Sequence, residues 1–341
     1  MTTDLARLTQ PLAGTAGFFN RTSEIMRICS RIGADRPQSV SVVGEPKVGK
    51  TSLLNWLYDR EARGRYLEEP ERYVFLSLDL ATAPPRDPTA FFQRLTEAWQ
   101  AQGGSAAEPT YDGLSAMVKG LMEERRRLVV LLDDFGRVTA NSSFPVGFFS
   151  FMRSLANGSD VGYVTTSSTD LQKLCSTQDL EESPFFNIFT TVHLEPFKQD
   201  EARQLVEHIC SEAGCRPGPE VEWTLALAGG SPYLLRLCAA LLVGLQQAGQ
   251  VDPARLESTA FREARGYLDC LWQEHLSEVQ RDVLRHVQAG REVARQHGYA
   301  LTSLERRGHL SQTDSTYALR SGLLARYVRE RGGGLWKRLF G

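Results

Sequence analysis

A chain of 341 residues, 42% hydrophobic and 23% charged, has enough apolar content for two or three folded domains of about 100–200 residues each, which excludes a disordered polymer. Its net charge of −2 gives no global field towards nucleic acid or membrane, so only a local patch serves either. The first residues, MTTDLARLTQPLAG, lack a charged-then-apolar leader pattern, and no run reaches the roughly 18 apolar residues of a membrane helix; the expected location is the cytoplasm. Cys29, Cys175, Cys210, Cys215, Cys238 and Cys270 form no C-x-x-C pair, and the six histidines show no ligand spacing. The cysteines therefore read as reduced core residues rather than a disulfide or metal framework.

In chain order, residues 1–17 are small and polar and read as a loose arm. An amphipathic helix is expected over about residues 21–32, with Ile25, Met26, Cys29 and Ile32 on one face and Asn20 or Thr22 as its cap. SVSVV (Ser39–Val43) is a short β-branched strand, followed by a glycine loop and a helix from Thr51 to Tyr58. Further strands are YVFLSLDL (Tyr73–Leu80), LVVLL (Leu128–Leu132), VGYVTTS (Val161–Ser167) and TTVHL (Thr190–Leu194). Helical patterns near 88–102, 114–125 and 146–156 lie between them. Apolar strands alternating with helices predict an α/β fold with a parallel five-stranded sheet covered on both faces. From Gln199 the pattern is helical, over about 199–213, 219–228, 232–248 and 254–273, broken by Gly229, Gly230 and Pro232. Leu276 to Arg331 reads as three helices, a hairpin-like GHLSQTDSTYAL and a last helix, the order of a winged helix. A flexible triple glycine then opens the tail GGGLWKRLFG. The expected domains are an arm (1–17), a nucleotide-binding domain (18–197), a helical lid (198–252), a winged-helix-like domain (253–331) and an amphipathic tail (332–341).

The segment Gly44-Glu45-Pro46-Lys47-Val48-Gly49-Lys50-Thr51 satisfies G-x-x-x-x-G-K-[ST] between a strand and a helix, the context that motif requires. The glycines let backbone N–H groups turn inward around a phosphate, and the following helix adds the positive end of its dipole. Lys50 is the cation for the β- and γ-phosphates. The Thr51 hydroxyl is a ligand for Mg²⁺, and Ser52 completes the loop. The second arm of the metal site is an acid at the end of an apolar strand: Asp133 is assigned a water-mediated Mg²⁺ contact. Asp134 stands where many such ATPases carry a glutamate that polarises the attacking water. A loop-capping role is the plainer reading, and a side chain one methylene shorter predicts slow hydrolysis.

With these residues the chain resembles the signal-transducing P-loop ATPases with numerous domains (STAND), in the neighbourhood of AAA+ and origin-recognition ATPases, over roughly residues 18–331. FFNRTSEI (Phe18–Ile25) is similar to the family's upstream G-R-x-x-E box, with Asn20 where glycine is usual. The resemblance implies that Phe19 and Arg21 lie against the nucleotide base. SPFFNIF (Ser183–Phe189) is similar to the family's segment before the fifth strand. GGSPYLL (Gly229–Leu235) resembles its glycine-x-proline lid module, which implies Pro232 near the adenine; an ordinary helix break produces the same letters. The resemblance favours ATP or ADP over GTP, in agreement with the lack of an N-K-x-D motif.

Departures from the family pattern bear on catalysis. Strand four ends Thr165-Thr166-Ser167 where many relatives have an arginine for the γ-phosphate, so Thr166 or Ser167 offers a hydroxyl without charge. No arginine lies between Arg153 and Arg203, and Lys173 is the one cation there ahead of strand five. A ring with an arginine finger is therefore disfavoured. Arg236 is a candidate to approach the phosphates from the lid, or a core-edge residue; His309 is unassigned.

Two functions follow from the resemblance. One is a slowly hydrolysing molecular switch, in which ATP or ADP sets the angles between domains and a separate effector protein reads the state, in a bacterial conflict or regulatory system. The other is a DNA-associated ATPase whose winged helix, residues 253–331, grips duplex. From Arg255 on there are 15 basic and 10 acidic residues, a mild pointer to DNA. However, Arg262, Arg265, Arg281, Arg285, Arg291 and Arg295 alternate with acids, as a salt-bridged helix face does. The tail segment Leu335–Phe340 is a further candidate for docking on a partner or an anionic membrane surface.

Overall fold

The computed structural model describes residues 10–12, 17–313 and 316–340, the last nine of these by backbone alone. The chain divides into two compact units: Pro11–Glu45 with Gly49–Leu194, and a second from Glu195 onward that also counts Pro46–Val48.

The first unit is a parallel α/β sheet. Helix α1 (Thr22–Ile32) leads to β1 (Ser39–Gly44); α2 (Lys50–Tyr58) and α3 (Arg60–Gly64) lead to β2 (Tyr73–Asp79); α4 (Pro88–Gln100) and α5 (Tyr111–Glu123) lead to β3 (Arg127–Asp133). Then come α6 (Gly136–Thr139), α7 (Val146–Gly158), β4 (Val161–Ser167), α8 (Gln178–Glu181), a 3-10 segment Pro184–Ile188 and β5 (Phe189–Leu194). The strand order is β2-β3-β4-β1-β5, so β1 and its glycine loop sit inside the sheet. All pairs are parallel, with Val42 opposite Thr166 and Asp79 opposite Asp133.

The near-continuous apolar reading of the strands has its cause in burial on both faces. Leu76, Leu78, Val130 and Leu132 join one core cluster, while the intervening Phe75, Val129 and Leu131 are equally buried on the other face. The first cluster is rich in phenylalanine from α4 and α7. Phe148 meets Phe91, Phe144 and Phe149 edge to face with ring centroids at 5.2, 4.9 and 5.2 Å. Each such side chain adds about 1.5–3 kcal/mol by leaving water, and the ring geometry adds to it. Helix α4 starts where Asp87 accepts from the Ala90 amide at 2.8 Å, followed by Pro88 in the first turn.

Residues expected to form a loose arm are held in part. Leu12 donates its N–H to Ser52 Oγ at 3.1 Å and accepts from Asn55 Nδ2 at 2.7 Å; just past the arm, Phe18 packs on Trp56 with centroids 6.1 Å apart. Helix α1 is preceded by Arg21 at φ 73°, with no side-chain capping bond; neither Asn20 nor Thr22 caps it as expected.

The second unit is mainly helical: α9 (Gln199–Glu212), α10 (Glu220–Ala228), α11 (Pro232–Gln247), α12 (Pro253–Cys270), a π turn (Leu271–His275), α13 (Glu278–Gln288), a 3-10 turn (Arg295–His297) and α14 (Gly298–Arg306). An antiparallel hairpin, β6 (Leu310–Thr313) with β7 (Thr316–Leu319), precedes α15 (Gly322–Phe340). Three helices were expected between Leu276 and the hairpin; two regular ones form, because Gly290 at φ 64° ends α13 and residues 291–294 take no helix. Helix α15 runs through the three glycines that were expected to start a flexible tail. The proposed docking face of Leu335–Phe340 lies outside the described side chains.

Within this unit the segment Glu195-Pro196-Phe197 is gripped from several elements. Phe197 donates its N–H to the Gly230 carbonyl at 2.8 Å, and Arg320 Nη2 donates to the Phe197 carbonyl at 2.8 Å. A Cβ on Gly230 would stand 2.4 Å from that carbonyl oxygen, and one on Gly308 2.4 Å from the Pro196 ring. Gly229, at φ 63°, closes α10; Ser231 caps α11 and Pro232 fills its first turn. A helix break therefore accounts for Gly229, Ser231 and Pro232, whereas Gly230 is required by the close approach of Phe197.

Candidate functional site

The glycine loop leaves β1 at Gly44 and enters α2 at Lys50. Two residues in it take left-handed backbone: Lys47 at φ 63° and Gly49 at φ 105°. Gly49 occupies the cap position of α2, and no side chain bonds the first amides of that helix. Those N–H groups and the helix dipole form an anion site of the kind the motif predicts. Val48 is buried, Pro46 half-buried and Lys47 exposed, while Glu45 is buried at the loop's start.

Lys50 is folded back onto its own loop, Nζ donating to the Gly44 carbonyl at 2.7 Å and the Glu45 carbonyl at 2.8 Å. Burial holds its pKa below the usual lysine value, against the opposing charges of Glu45, Asp133 and Asp134. An ammonium held in this way by neutral carbonyls is available to a phosphate, which offers it a full negative charge.

The ends of β3 and β4 carry the rest. Asp133 accepts from Thr51 Oγ1 at 2.7 Å on one carboxylate oxygen and from Thr166 Oγ1 at 2.5 Å on the other. The same Thr166 oxygen accepts the Asp134 N–H at 2.8 Å, and Phe135 N donates to the Thr166 carbonyl at 2.9 Å. Thr51 and Asp133, named from sequence as the two metal arms, are thus brought together from positions 82 residues apart. Asp134 has φ 57°, a left-handed conformation aspartate tolerates, and its carboxylate is engaged by Arg137 Nε at 3.0 Å. Ser167 is fully buried and donates to the Thr169 carbonyl at 2.6 Å, which commits its hydrogen to the loop after β4. Ser52 accepts from Leu12, as described.

The upstream box is also placed. Asn20 and Arg21 both have positive φ, at 59° and 73°. Asparagine is the non-glycine residue that best bears such a backbone, which gives a physical reason for Asn20 where the resembled family has glycine. Arg21 is buried and pairs with Glu24 at 3.1 Å; Phe19 is half-buried. Pro232 is buried in the second unit, and Arg236 of α11 is half-buried, its pKa lowered by burial. Lys173 pairs with Asp170 at 3.2 Å on the surface. All six cysteines are free thiols, and Cys29, Cys210 and Cys238 are buried as the sequence implied, whereas Cys175, Cys215 and Cys270, also expected in the core, are half-buried; burial pushes Cys29 and Cys238 up to about 12.

Sequence reasoning ranked Thr166 only beside Ser167, yet Thr166 is the residue that joins Asp133 to Asp134. The available signal was a second hydroxyl-bearing residue at the end of the strand that pairs both β1 and β3.

No helix among the described residues is long and apolar enough to cross a membrane. The fold is similar to that of a Walker-type ATPase of Pyrococcus abyssi, at 18% identity over 96% of this chain and 100% of that one, with TM-score 0.65. It is also similar to the Aeropyrum pernix ORC2 protein solved in ADPNP-ADP complexes, at 14% identity over 97% of this chain and 98% of that one, TM-score 0.64. A Drosophila ORC chain from a DNA-bound structure follows at 13% identity, 96% and 92% coverage and TM-score 0.52. No curated protein matches the sequence significantly. The family model for novel STAND NTPase 2 matches residues 34–293, a span that holds the glycine loop, Asp133 and Thr166. The chain belongs to that family of STAND NTPases, with a P-loop fold like that of the Walker-type ATPase and ORC2 structures.

Proposed function

We propose that the chain is an ATP- and ADP-binding molecular switch with slow hydrolysis, whose state a partner protein reads. The observation that carries the reading is the bonded chain Thr51–Asp133–Thr166–Asp134. The donor set, a threonine hydroxyl and a carboxylate in contact, fits a hard divalent cation such as Mg²⁺. When bound, Mg²⁺ neutralises charge on the β- and γ-phosphates. Thr51 would ligate the ion through its hydroxyl oxygen and Asp133 would reach it through water, with Thr166 anchoring the Asp133 carboxylate. Nucleotide and ion would thereby add charged contacts at the ends of β3 and β4 that the empty loop lacks, the kind of differential contact a switch requires.

Slow turnover follows from the same residues. Asp134 is short, and its carboxylate is paired to Arg137 rather than left to orient water. Ser167 contributes no charge. The helical region 198–252 serves as a lid carrying Pro232, and 253–331 as a winged-helix-like domain whose position a partner senses. Residues 44–52 cradle the phosphates, with Phe19, Arg21 and Pro232 towards the base.

A second reading, duplex DNA as a ligand of 253–331, has one observation in its favour. Arg291, Arg295 and Arg306 are exposed in the same segment as Tyr299, which is 81% exposed. Against it, Arg262, Arg265 and Arg285 are engaged by Glu263, Glu330 and Asp282 in ion pairs, so these three guanidinium groups already have carboxylate partners.

The deciding experiment quantifies co-purifying nucleotide together with turnover. Retained ADP or ATP with barely detectable hydrolysis supports the switch. Empty protein with brisk turnover that rises on adding duplex DNA overturns it in favour of the second reading, and DNA affinity that falls steeply with salt would mark that binding.

A further inference from the structure

The most informative feature outside the nucleotide site is the π turn that closes α12. In an α-helix at 3.6 residues per turn, positions i and i+5 lie far apart around the axis. A π turn, closed by i→i+5 bonding, widens the coil and brings i, i+4 and i+5 onto one side. Here those positions are Cys270, Glu274 and His275. One donor atom from each, the thiol sulfur, a carboxylate oxygen and a ring nitrogen, lies within 4.8 Å of the others, and Cys270 Sγ stands 3.7 Å from Glu274 Oε2.

The backbone beneath this cluster is braced. Leu271 and Trp272 are each 2% exposed, and the Arg285 guanidinium lies over the Trp272 ring at 5.2 Å. Arg307 Nη2 donates to the His275 carbonyl at 2.7 Å, and its Nη1 donates to Gln280 Oε1 at 3.1 Å, fixing the end of the turn from α14. Cys270 and His275 are half-buried and Glu274 is exposed, so the donors are held on a rigid base with a path to solvent.

We propose that Cys270, Glu274 and His275 form a three-ligand site for a thiophilic divalent cation of the zinc class, distinct from the cation at the glycine loop. A tetrahedral zinc centre, with ligand distances of about 2.0–2.3 Å, needs donor–donor edges of roughly 3.3–3.8 Å, so side-chain rotation of about 1 Å completes the triangle. One thiolate, one imidazole and one carboxylate leave the fourth position for water, and this donor set selects zinc or cobalt over magnesium. On binding, the Cys270 S–H proton passes to solvent as the sulfur–metal bond forms. Because the thiol must lose this proton to bind, affinity increases with pH.

The test uses the full chain, stripped with chelator and titrated with Co²⁺ in excess Mg²⁺, which keeps the glycine-loop site out of the readout. The expected result is one Co²⁺ per chain with tetrahedral ligand-field bands and a thiolate charge-transfer band, all reversed by Zn²⁺. Cys270→Ser should abolish the charge-transfer band and His275→Gln the ligand-field bands, with Cys215→Ser unchanged; circular dichroism reports whether each variant is folded. Glu274→Gln, on the exposed donor, keeps the test decisive if either of the others unfolds, and should weaken binding without loss of structure. Absence of the thiolate band in the parent, its persistence in Cys270→Ser, or unchanged binding in Glu274→Gln, would overturn the proposal and leave adventitious binding only.

Discussion

Replacing Thr166 by valine separates shape from hydrogen bonding at the centre of the site. Thr166 has no exposed surface, and valine keeps its volume and β-branching within β4. The lost hydroxyl supplies a 2.5 Å bond to the Asp133 carboxylate and accepts the Asp134 N–H at 2.8 Å. A hydrogen bond to a charged group contributes about 1.5–3 kcal/mol, and an orphaned N–H costs about 1–3 kcal/mol. The added methyl recovers roughly 0.8 kcal/mol by burial, so the first unit should lose about 2–5 kcal/mol. Thr166→Ser retains the hydroxyl and should lose only about 1 kcal/mol. The assay is urea unfolding without nucleotide, in a background where Trp223, Trp272 and Trp336 are phenylalanine, so that Trp56 and Trp99 report the first unit. With the slope against urea unchanged, a midpoint shift reads directly as stability. A Thr166→Val protein within about 0.5 kcal/mol of its parent would refute the bridging role, since that is the scale of an inert substitution.

Three further outcomes are expected. Gly230→Ala forces a Cβ to 2.4 Å from the Phe197 carbonyl, and should cost about 1–3 kcal/mol or more in the second unit, visible as earlier urea unfolding followed at Trp223 and Trp272. Asp134→Glu should raise steady-state ATP turnover by extending the carboxylate beyond Arg137; unchanged turnover counts against Asp134 as the water-orienting group. The third concerns pH. Lys50's folded pKa lies below its unfolded value of about 10.4, so folding carries a penalty at neutral pH that is released as pH rises from the folded towards the unfolded pKa. In nucleotide-free protein the stability of the parent relative to Lys50→Met should therefore improve across that alkaline window, and a flat difference would remove burial as the cause.

How much of this was legible depended on the range of the interactions. The strands were readable because burial on both faces writes itself as local apolar runs such as Leu128–Leu132, and the glycine loop because its backbone demands are met within eight neighbouring residues. Asp133 and Thr51 were readable as types at the ends of such elements. What escaped were contacts between distant segments that leave no periodic trace: Leu12 on Ser52 and Asn55, Thr166 on Asp133, and Arg320 on Phe197. The π turn escaped for a different reason. Its sequence continues a good helical pattern, and the one-residue shift that aligns Cys270 with His275 is a matter of hydrogen-bond choice. The ordinary break at Gly229–Pro232 was legible, but the need for Gly230 was set by a carbonyl 33 residues upstream.

The grip on Pro196 and Phe197 also has a consequence for how the protein is made. Its points of hold, Gly230, Gly308 and Arg320, follow the held segment by up to 123 residues, and Arg320 is the last of them to be synthesised. At a translation rate of about 5–20 residues per second, the ribosome completes the sheet of the first unit several seconds before that arginine exists. Over this interval the Phe197 N–H can already meet the Gly230 carbonyl, while the Phe197 carbonyl still lacks its Arg320 donor. The segment is therefore gripped in chain order, first by Gly230, then at Gly308 and last by the Arg320 guanidinium.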